Sequence, residues 1–472
     1  MSNFDSDFNN NDNFESRSRN IDEKIKKCKN ILQVGSIYNY LETVESTIQL
    51  CIEYNRPEDG IYLLDALLTI SPYNSEYCVK KGIFLNDISK YEDALICFEK
   101  ALSLNPSDVE ALLEKAITEE NLGLVASAKF SLQSILQVDN HNEEALFSLG
   151  LLHQRHSEYQ KSIELFSKTI EVDPEFAEAY YELGFCYENL NQYSKALSYY
   201  EKFLDLDPYN ANGWYNRGIV LVKMNKLEKA IDSYDLALAI KDDFGSALFN
   251  KGNVLADLGH YRQAVDCFIE AIKIDPSDEA SYYNIGNIYE ELGDLTSAIK
   301  YYSEAVKVNE EYYEAYLARG SCYDAIGKFQ LALKDFNKVI SLSQDNTDAW
   351  YAKADLEYSL GKLQEAVRSY RSAIKIEPDN YELWFDLAET FFEIGNWLEA
   401  LNAFNQCIKI DPRDATSYYG KAKVNFILSR TQEAVNCLKT AFTLDPAIRS
   451  EFARDYPEIK SSKLFKKLLG EP

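Results

Sequence analysis

The chain has 472 residues, 46% of them hydrophobic, with 34 Tyr and 24 Phe, ample apolar material for an ordered protein. Its 76 acidic against 49 basic residues leave a net charge of −27, a field that repels a phosphate backbone and sets nucleic acid aside as a partner. No eighteen apolar residues run together, which excludes a membrane span.

Residues 1–20 are rich in Asn, Asp and Ser with isolated Phe, too little apolar surface to offset the entropy of ordering, and they read as a disordered tail. Acids stand where a secretory leader needs basic residues, and no apolar run follows. Ile21, Ile25, Cys28 and Leu32 then recur at helical spacing, predicting an N-terminal capping helix over 21–40.

From residue 41 one pattern returns every 34 residues without insertion, twelve times to residue 448. Each unit closes at Pro72, Pro106, Asn140, Pro174, Pro208, Asp242, Pro276, Glu310, Gln344, Pro378, Pro412 or Pro446. Counting from the first residue of a unit, the eighth position is small (Gly82, Ala116, Gly150, Gly184, Gly218, Gly252, Gly286, Gly320, Ala354) and the twentieth is mostly Ala. The twenty-fourth is large, as in Phe98, Tyr200, Phe268 and Tyr302. Small facing large is how two helices interdigitate at interior density. Gly123, Gly259, Gly293, Gly327, Gly361 and Gly395, with Asn or Ser in most other units, mark a turn that stops the first helix. The first unit diverges, with Ile48 at the small position and Gly60 at the Ala position, as a terminal unit should.

In period and residue pattern the chain resembles the tetratricopeptide repeat (TPR) family, whose unit is a helix–turn–helix of 34 residues. The resemblance covers residues 41–448. It implies an all-α fold, a right-handed α-solenoid of twelve repeats, with residues 449–472 as C-terminal capping helices. Phe452, Ile459, Leu464, Phe465, Leu468 and Leu469 give that last piece an apolar face, and Lys460, Lys463, Lys466 and Lys467 its solvated side.

Nothing along the chain reads as catalytic. There is no Gly-rich phosphate loop, nucleophile elbow or HExxH sequence, so no cofactor is called for and an enzyme is not expected. His153 and His156 have metal-ligand spacing, but two ligands do not make a zinc site, and His153 stands where other units carry a packing Tyr. Nine scattered cysteines with no CxxC pair suit reduced thiols in a cytoplasm.

In TPR proteins the first helix of each unit lines a concave groove, and the resemblance carries that over to positions two, five, six, nine, twelve and thirteen. The fifth position holds aromatic residues, among them Tyr181, Tyr215, Phe249 and Tyr283; they either anchor a partner or pack between neighbouring first helices, and a ring can do both. Acids accompany them, including Glu188, Glu290, Glu291, Asp355, Glu389 and Glu393. At the sixth position Asn216, Asn250 and Asn284 recur at the 34-residue step, joined at the ninth by Asn253 and Asn287. This set resembles the asparagine ladder that grips peptide backbone in the TPR domain of O-GlcNAc glycosyltransferases; descent by repeat duplication is the other explanation. The expected function is a non-catalytic scaffold that cradles an extended, basic protein segment in an acidic, aromatic groove. The alternative is a self-assembling structural array or a constitutive subunit of a multi-protein complex.

Overall fold

The structure is a computed structural model that describes residues 21–33 and 37–457. Among them there is no strand. Twelve helix–turn–helix pairs succeed one another between Leu41 and Leu444. They divide into two compact units, Met1–Asp242 and Asp243–Pro472, each holding six pairs stacked as an α-solenoid. Repeat 5 shows the unit: helix Ala177–Asn189, a short turn, then helix Tyr193–Leu206.

Each turn pivots on one residue in the left-handed region: Asn55, Ser89, Gly123, Ser157, Asn191, Asn225, Gly259, Gly293, Gly327, Gly361, Gly395 or Ser429. Every one sits at the fifteenth position. The left-handed residue ends the first helix and lets the chain reverse; Gly bears it without a Cβ clash, and Asn tolerates it better than most other residues. At the far end of the unit, Asn74, Asp108, Asn142, Asn210, Asp278, Asn346, Asn380 and Asp414 start the next first helix, each side chain accepting from the backbone N–H three residues on. Phe176 and Tyr312 occupy that place without capping, and their rings instead lie 4.9 Å from Phe147 and 5.3 Å from Tyr283, each in the repeat that they close.

The core is one contact repeated. A Cβ added at Gly82, Gly150, Gly184, Gly218, Gly252, Gly286 or Gly320 would lie 2.4–2.8 Å from the ring sixteen residues on, in Phe98, Phe166, Tyr200, Tyr234, Phe268, Tyr302 and Phe336. Those rings are fully buried. Repeat 1 shifts the bulk: Ile48 and Leu64 fill its interior, and Gly60 admits the Phe84 ring of repeat 2, 2.4 Å from where a Cβ would stand.

At the start of the described chain, the capping element predicted over 21–40 is a helix over 21–33, followed after a gap in the description by a short 3-10 turn at Ile37–Asn39. Ile21, Ile25 and Cys28 pack with Val44, Ile48, Leu63 and Leu64. At the other end, helix Ile448–Asp455 buries Ile448 and Phe452 against Tyr419, Leu438 and Phe442. The tail expected at 1–20, and the apolar positions Ile459, Leu464, Phe465, Leu468 and Leu469, lie outside the described residues. Among the described residues no helix is long and apolar enough to cross a membrane.

Substitution at Gly252 tests the packing. Gly252→Ala should be destabilising but milder than a larger side chain, because its Cβ would stand 2.8 Å from the buried Phe268 ring, which must shift to the kind of place Tyr370 has beside Ala354 in repeat 10. Gly252→Leu should cost about 1–3 kcal/mol by forcing the helix pair apart, with loss of amide protection confined to repeat 7 and its neighbours. Thermal melting and hydrogen exchange of the two variants read this directly.

Candidate functional site

The 34-residue register places positions two, five, six, nine, twelve and thirteen on one face of each first helix. In the first unit, Tyr181 is half-buried, its ring 5.7 Å from Tyr200 and 5.1 Å from Phe203. Its hydroxyl accepts a hydrogen bond from Asn216 Nδ2 at 2.7 Å, which ties repeat 6 to repeat 5. Tyr215 lies 6.0 Å from Tyr234. In the second unit, Phe249 and Tyr283 pack against Phe268 and Tyr302 at 5.7 and 5.6 Å. Asn284 Nδ2 donates to Asn253 Oδ1 at 2.8 Å, bridging repeats 8 and 7. Asn250 is half-buried on the same helix as Asn253, and Glu291 is exposed at the end of its own. The fifth-position aromatics therefore pack against the twenty-fourth-position ring of their own repeat while keeping one side open to solvent.

Several acids of the stripe have work inside the fold. At three of the buried Tyr of the twenty-fourth position the first helix of the same repeat supplies an acceptor for the hydroxyl. Tyr200 Oη donates to Glu188 at 3.0 Å, and Tyr302 Oη is shared between Asn287 Oδ1 at 2.7 Å and Glu290 Oε2 at 2.6 Å. Tyr370 Oη donates to Asp355 at 2.5 Å.

The acids of repeats 10 and 11 gather more closely than the sequence suggested. Asp386, a sixth-position residue the sequence reading passed over, accepts from Tyr351 Oη at 2.8 Å, and Glu393 accepts from Tyr358 Oη at 2.6 Å. Desolvation lifts the half-buried Asp386 and Glu389 carboxyls above the ordinary range. The charges of Asp355, Glu382 and Glu389 push Asp386 further, and those of Glu393 and Glu451 push Glu389. Asp355 is raised by desolvation and by Asp324, despite its hydrogen bond from Tyr370. In the first unit Glu182 and Glu188 are likewise raised, chiefly by burial. Lys423 opposes the negative field in the last repeats; its Nζ lies 5.4 Å from the Phe392 ring centre and 5.0 Å from that of Tyr419.

His153 Nδ1 lies 2.6 Å from Glu158 Oε2, and His156 Nδ1 lies 2.9 Å from Leu152 O, so the two rings serve different partners. Among the described residues no group of three or more His, Cys, Asp or Glu side chains could hold a metal ion. All nine cysteines are free thiols and, except for Cys97, buried. Burial pushes the Cys51 and Cys186 thiols up to about 11, well away from nucleophilic character.

Comparison with known proteins agrees with the helix-pair register. Profiles described as tetratricopeptide repeat match residues 75–108, 147–211, 211–244, 280–312, 313–346, 381–414 and 415–448, and one described as TPR repeat matches 252–293 and 354–395. No curated protein matches the chain. Among solved structures, MamA is 25% identical over 35% of this chain and 97% of its own, with a TM-score of 0.34. YrrB, described as a TPR protein with an unusual peptide-binding site, is 26% identical over 38% of this chain and 93% of its own, with a TM-score of 0.34. MamA from residue 41 to its end, from Desulfovibrio magneticus RS-1, is 21% identical over 36% of this chain and 96% of its own, also with a TM-score of 0.34.

The raised carboxyls make a signed prediction. A carboxyl whose folded pKa lies above its unfolded value holds its proton more tightly in the folded state. Its stabilisation is complete below the unfolded value, about 4, and is lost as pH rises through the folded one. Protection of repeats 10 and 11 against hydrogen exchange, corrected for intrinsic rates, should therefore rise as pH falls from 7 towards 5. Asp386→Asn with Glu389→Gln should raise protection at pH 7 and flatten that dependence, since the amide oxygen introduced at position 386 can still accept from Tyr351. Identical profiles for parent and variant would show that these carboxyls are solvated as ordinary surface acids.

Proposed function

The chain belongs to the tetratricopeptide repeat family, and from that premise we propose that it is a non-catalytic scaffold binding an extended, basic segment of another protein along its first helices. The observation that carries the reading is the set of half-buried carboxylates on that face, Glu182 and Glu188 in the first unit and Asp386 and Glu389 in the second. Desolvation raises all four. Lys or Arg side chains of a ligand would offset that desolvated charge, and the open sides of Tyr181, Tyr215, Phe249 and Tyr283 would take its apolar residues.

The sixth-position amides would hold the ligand's backbone. Donation to Tyr181 and to Asn253 uses one N–H each of Asn216 and Asn284, and an amide side chain has a second N–H and a carbonyl oxygen, the complements of a peptide unit. Asn250, Asn253 and Asn287 line the same face in the second unit, with Glu290 and Glu291 at its end. The free thiols suit a reducing cytoplasm.

A second reading has its own support. At the twenty-second position, on the second helices, repeats 2 and 3 carry Ile96 and Phe130, exposed at 63% and 69%. Repeats 4 to 12 place Glu164, Ser198, Asp232, Asp266, Lys300, Lys334, Arg368, Asn402 and Asn436 there. Such an apolar patch suits a permanent contact, either with a further copy of the chain or within a larger complex.

Partner capture from lysate, followed by titration, tests the first reading. Asn216→Ala, Asn250→Ala and Asn284→Ala together should leave helicity unchanged and weaken the captured partner at least tenfold, at about 0.5–1.5 kcal/mol for each lost hydrogen bond. Binding should also weaken as salt rises from 50 to 300 mM. A partner that ignores both changes but is lost on Ile96→Glu with Phe130→Glu would establish the second reading instead.

A further inference from the structure

We propose that the cavity at the junction of repeats 3 and 4 is a receptor for the indole of a Trp presented by another protein. The site goes beyond the first-helix face: its lining comes from second helices and from position four, outside the stripe described above.

The cavity has a volume of about 670 Å³, within the range of about 300–1,000 Å³ found for small-ligand sites. Leu136 of helix Val125–Val138, Leu146 of helix Glu143–Arg155 and Leu165 of helix Tyr159–Val172 give it apolar walls. Asn140 and Lys168, both exposed, also line it and open it to solvent.

Other repeats show what fits there. From repeat 5 onward, position four carries a ring in every unit but repeat 7: Tyr180, Trp214, Tyr282, Tyr316, Trp350, Trp384 and Tyr418. Each of the three Trp donates its indole N–H to the carbonyl of the residue that closes the preceding repeat. Trp214 bonds Pro208 O at 2.9 Å, Trp350 bonds Gln344 O at 3.1 Å and Trp384 bonds Pro378 O at 2.7 Å. A Lys at position twenty-six attends the ring in two other repeats. Lys202 Nζ lies 5.7 Å from the Tyr180 ring centre, and Lys338 Nζ lies 5.8 Å from that of Tyr316.

Repeat 4 keeps both recognition groups and lacks the ring. Leu146 stands at position four and has no side-chain donor. Asn140 O, the counterpart of Pro208 O, Gln344 O and Pro378 O, accepts no hydrogen bond among the described residues. Lys168, at position twenty-six, has no ion pair and no ring beneath it among the described residues. At the equivalent junction of repeats 9 and 10, Trp350 lines the notch and the cavity is smaller, about 450 Å³. An indole brought to repeat 4 from outside would bury its ring against the three Leu, reach Asn140 O with its N–H and lie beside the Lys168 ammonium.

That indole has to come from a different protein. The chain has four Trp. Trp214, Trp350 and Trp384 are held at their own junctions, and Trp397 packs edge-on against Phe392 at 5.3 Å.

The test is a titration of the deuterated, 15N-labelled full chain with acetyl-Ser-Gly-Trp-Gly-Ser-amide, followed by 1H–15N NMR. The same peptide with Leu in place of Trp is the control. The Trp peptide should give saturable shifts at Asn140, His141 and Lys168 and bind at least tenfold more tightly than the Leu peptide. Leu146→Trp supplies the indole from within, as repeats 6, 10 and 11 do. That variant should melt at or above the parent's temperature and lose the shifts. Lys168→Ala, at an exposed position, should weaken binding about two- to fivefold. The Leu peptide and Lys168→Ala decide the question even where the Leu146→Trp variant fails to fold. The proposal is overturned by an equal response to the Leu peptide, by unchanged affinity in Lys168→Ala, or by a folded Leu146→Trp variant that binds like the parent. Shifts confined to the first-helix face around Tyr181 and Asn216, or no shifts at all, would overturn it as well.

Discussion

The structure depends on a ring seated where a side chain is missing. In seven repeats the twenty-fourth-position ring covers an eighth-position Gly so closely that a Cβ there would stand 2.4–2.8 Å from ring atoms. An aromatic side chain buries about 150–250 Å²; at about 25 cal/mol per Å², such contacts dominate what each repeat gains by folding. They also set the rotation of the first helix about its axis, because only one of its faces is bare. With that face turned inward, positions five and twelve, three before and four after it, share its side and border the ring, while positions six and thirteen turn away from it. The candidate binding face is therefore a by-product of core packing, repeated wherever the packing is.

The parts of the fold legible in the sequence are those fixed by side-chain volume and backbone conformation. The Gly and Ala of the eighth position, the rings of the twenty-fourth and the left-handed turn at the fifteenth recur because each has few physical substitutes. The helix caps are less legible, because the capping Asn or Asp stands two residues after the closing position and varies in identity, as in Pro72 and Asn74. Hydrogen-bond partners were harder still. Asn216 meets Tyr181 at a separation of 35 residues, the fifth-to-sixth-position step that Tyr351 and Asp386 repeat, whereas Asn284 meets Asn253 at 31. Which side chain answers a fifth-position hydroxyl changes from repeat to repeat, because the sixth position is occupied by Asn, Asp, Glu, Ala or Lys in different units.

The acids of the stripe divide by cause. Tyr200, Tyr302 and Tyr370 each have a carboxylate of their own repeat as acceptor, Glu188 and Glu290 at the twelfth position and Asp355 at the ninth. Part of the acidity is therefore structural. The twelfth position alone does not mark which part, since the Tyr234 repeat carries Val222 there and the Phe336 repeat carries Asp324.

Asp386 and Glu389 are left, because no hydroxyl of their own repeat needs them. Tyr351 reaches Asp386 from the preceding repeat, and Glu389 has Lys423 as its counter-charge. Raised by desolvation and by neighbouring carboxylates, they work against the folded state at neutral pH. In a solenoid this cost is local, because each repeat gains its stability from itself and its immediate neighbours. Buried rings on both sides, Tyr370 before and Phe404 within repeat 11, hold the helices while the carboxylates remain poorly solvated. A cation delivered to the face recovers that cost as binding energy, since it neutralises charge the fold has already desolvated. Affinity for a basic segment and local instability are then two measures of the same buried charge, and a substitution that relieves one must diminish the other.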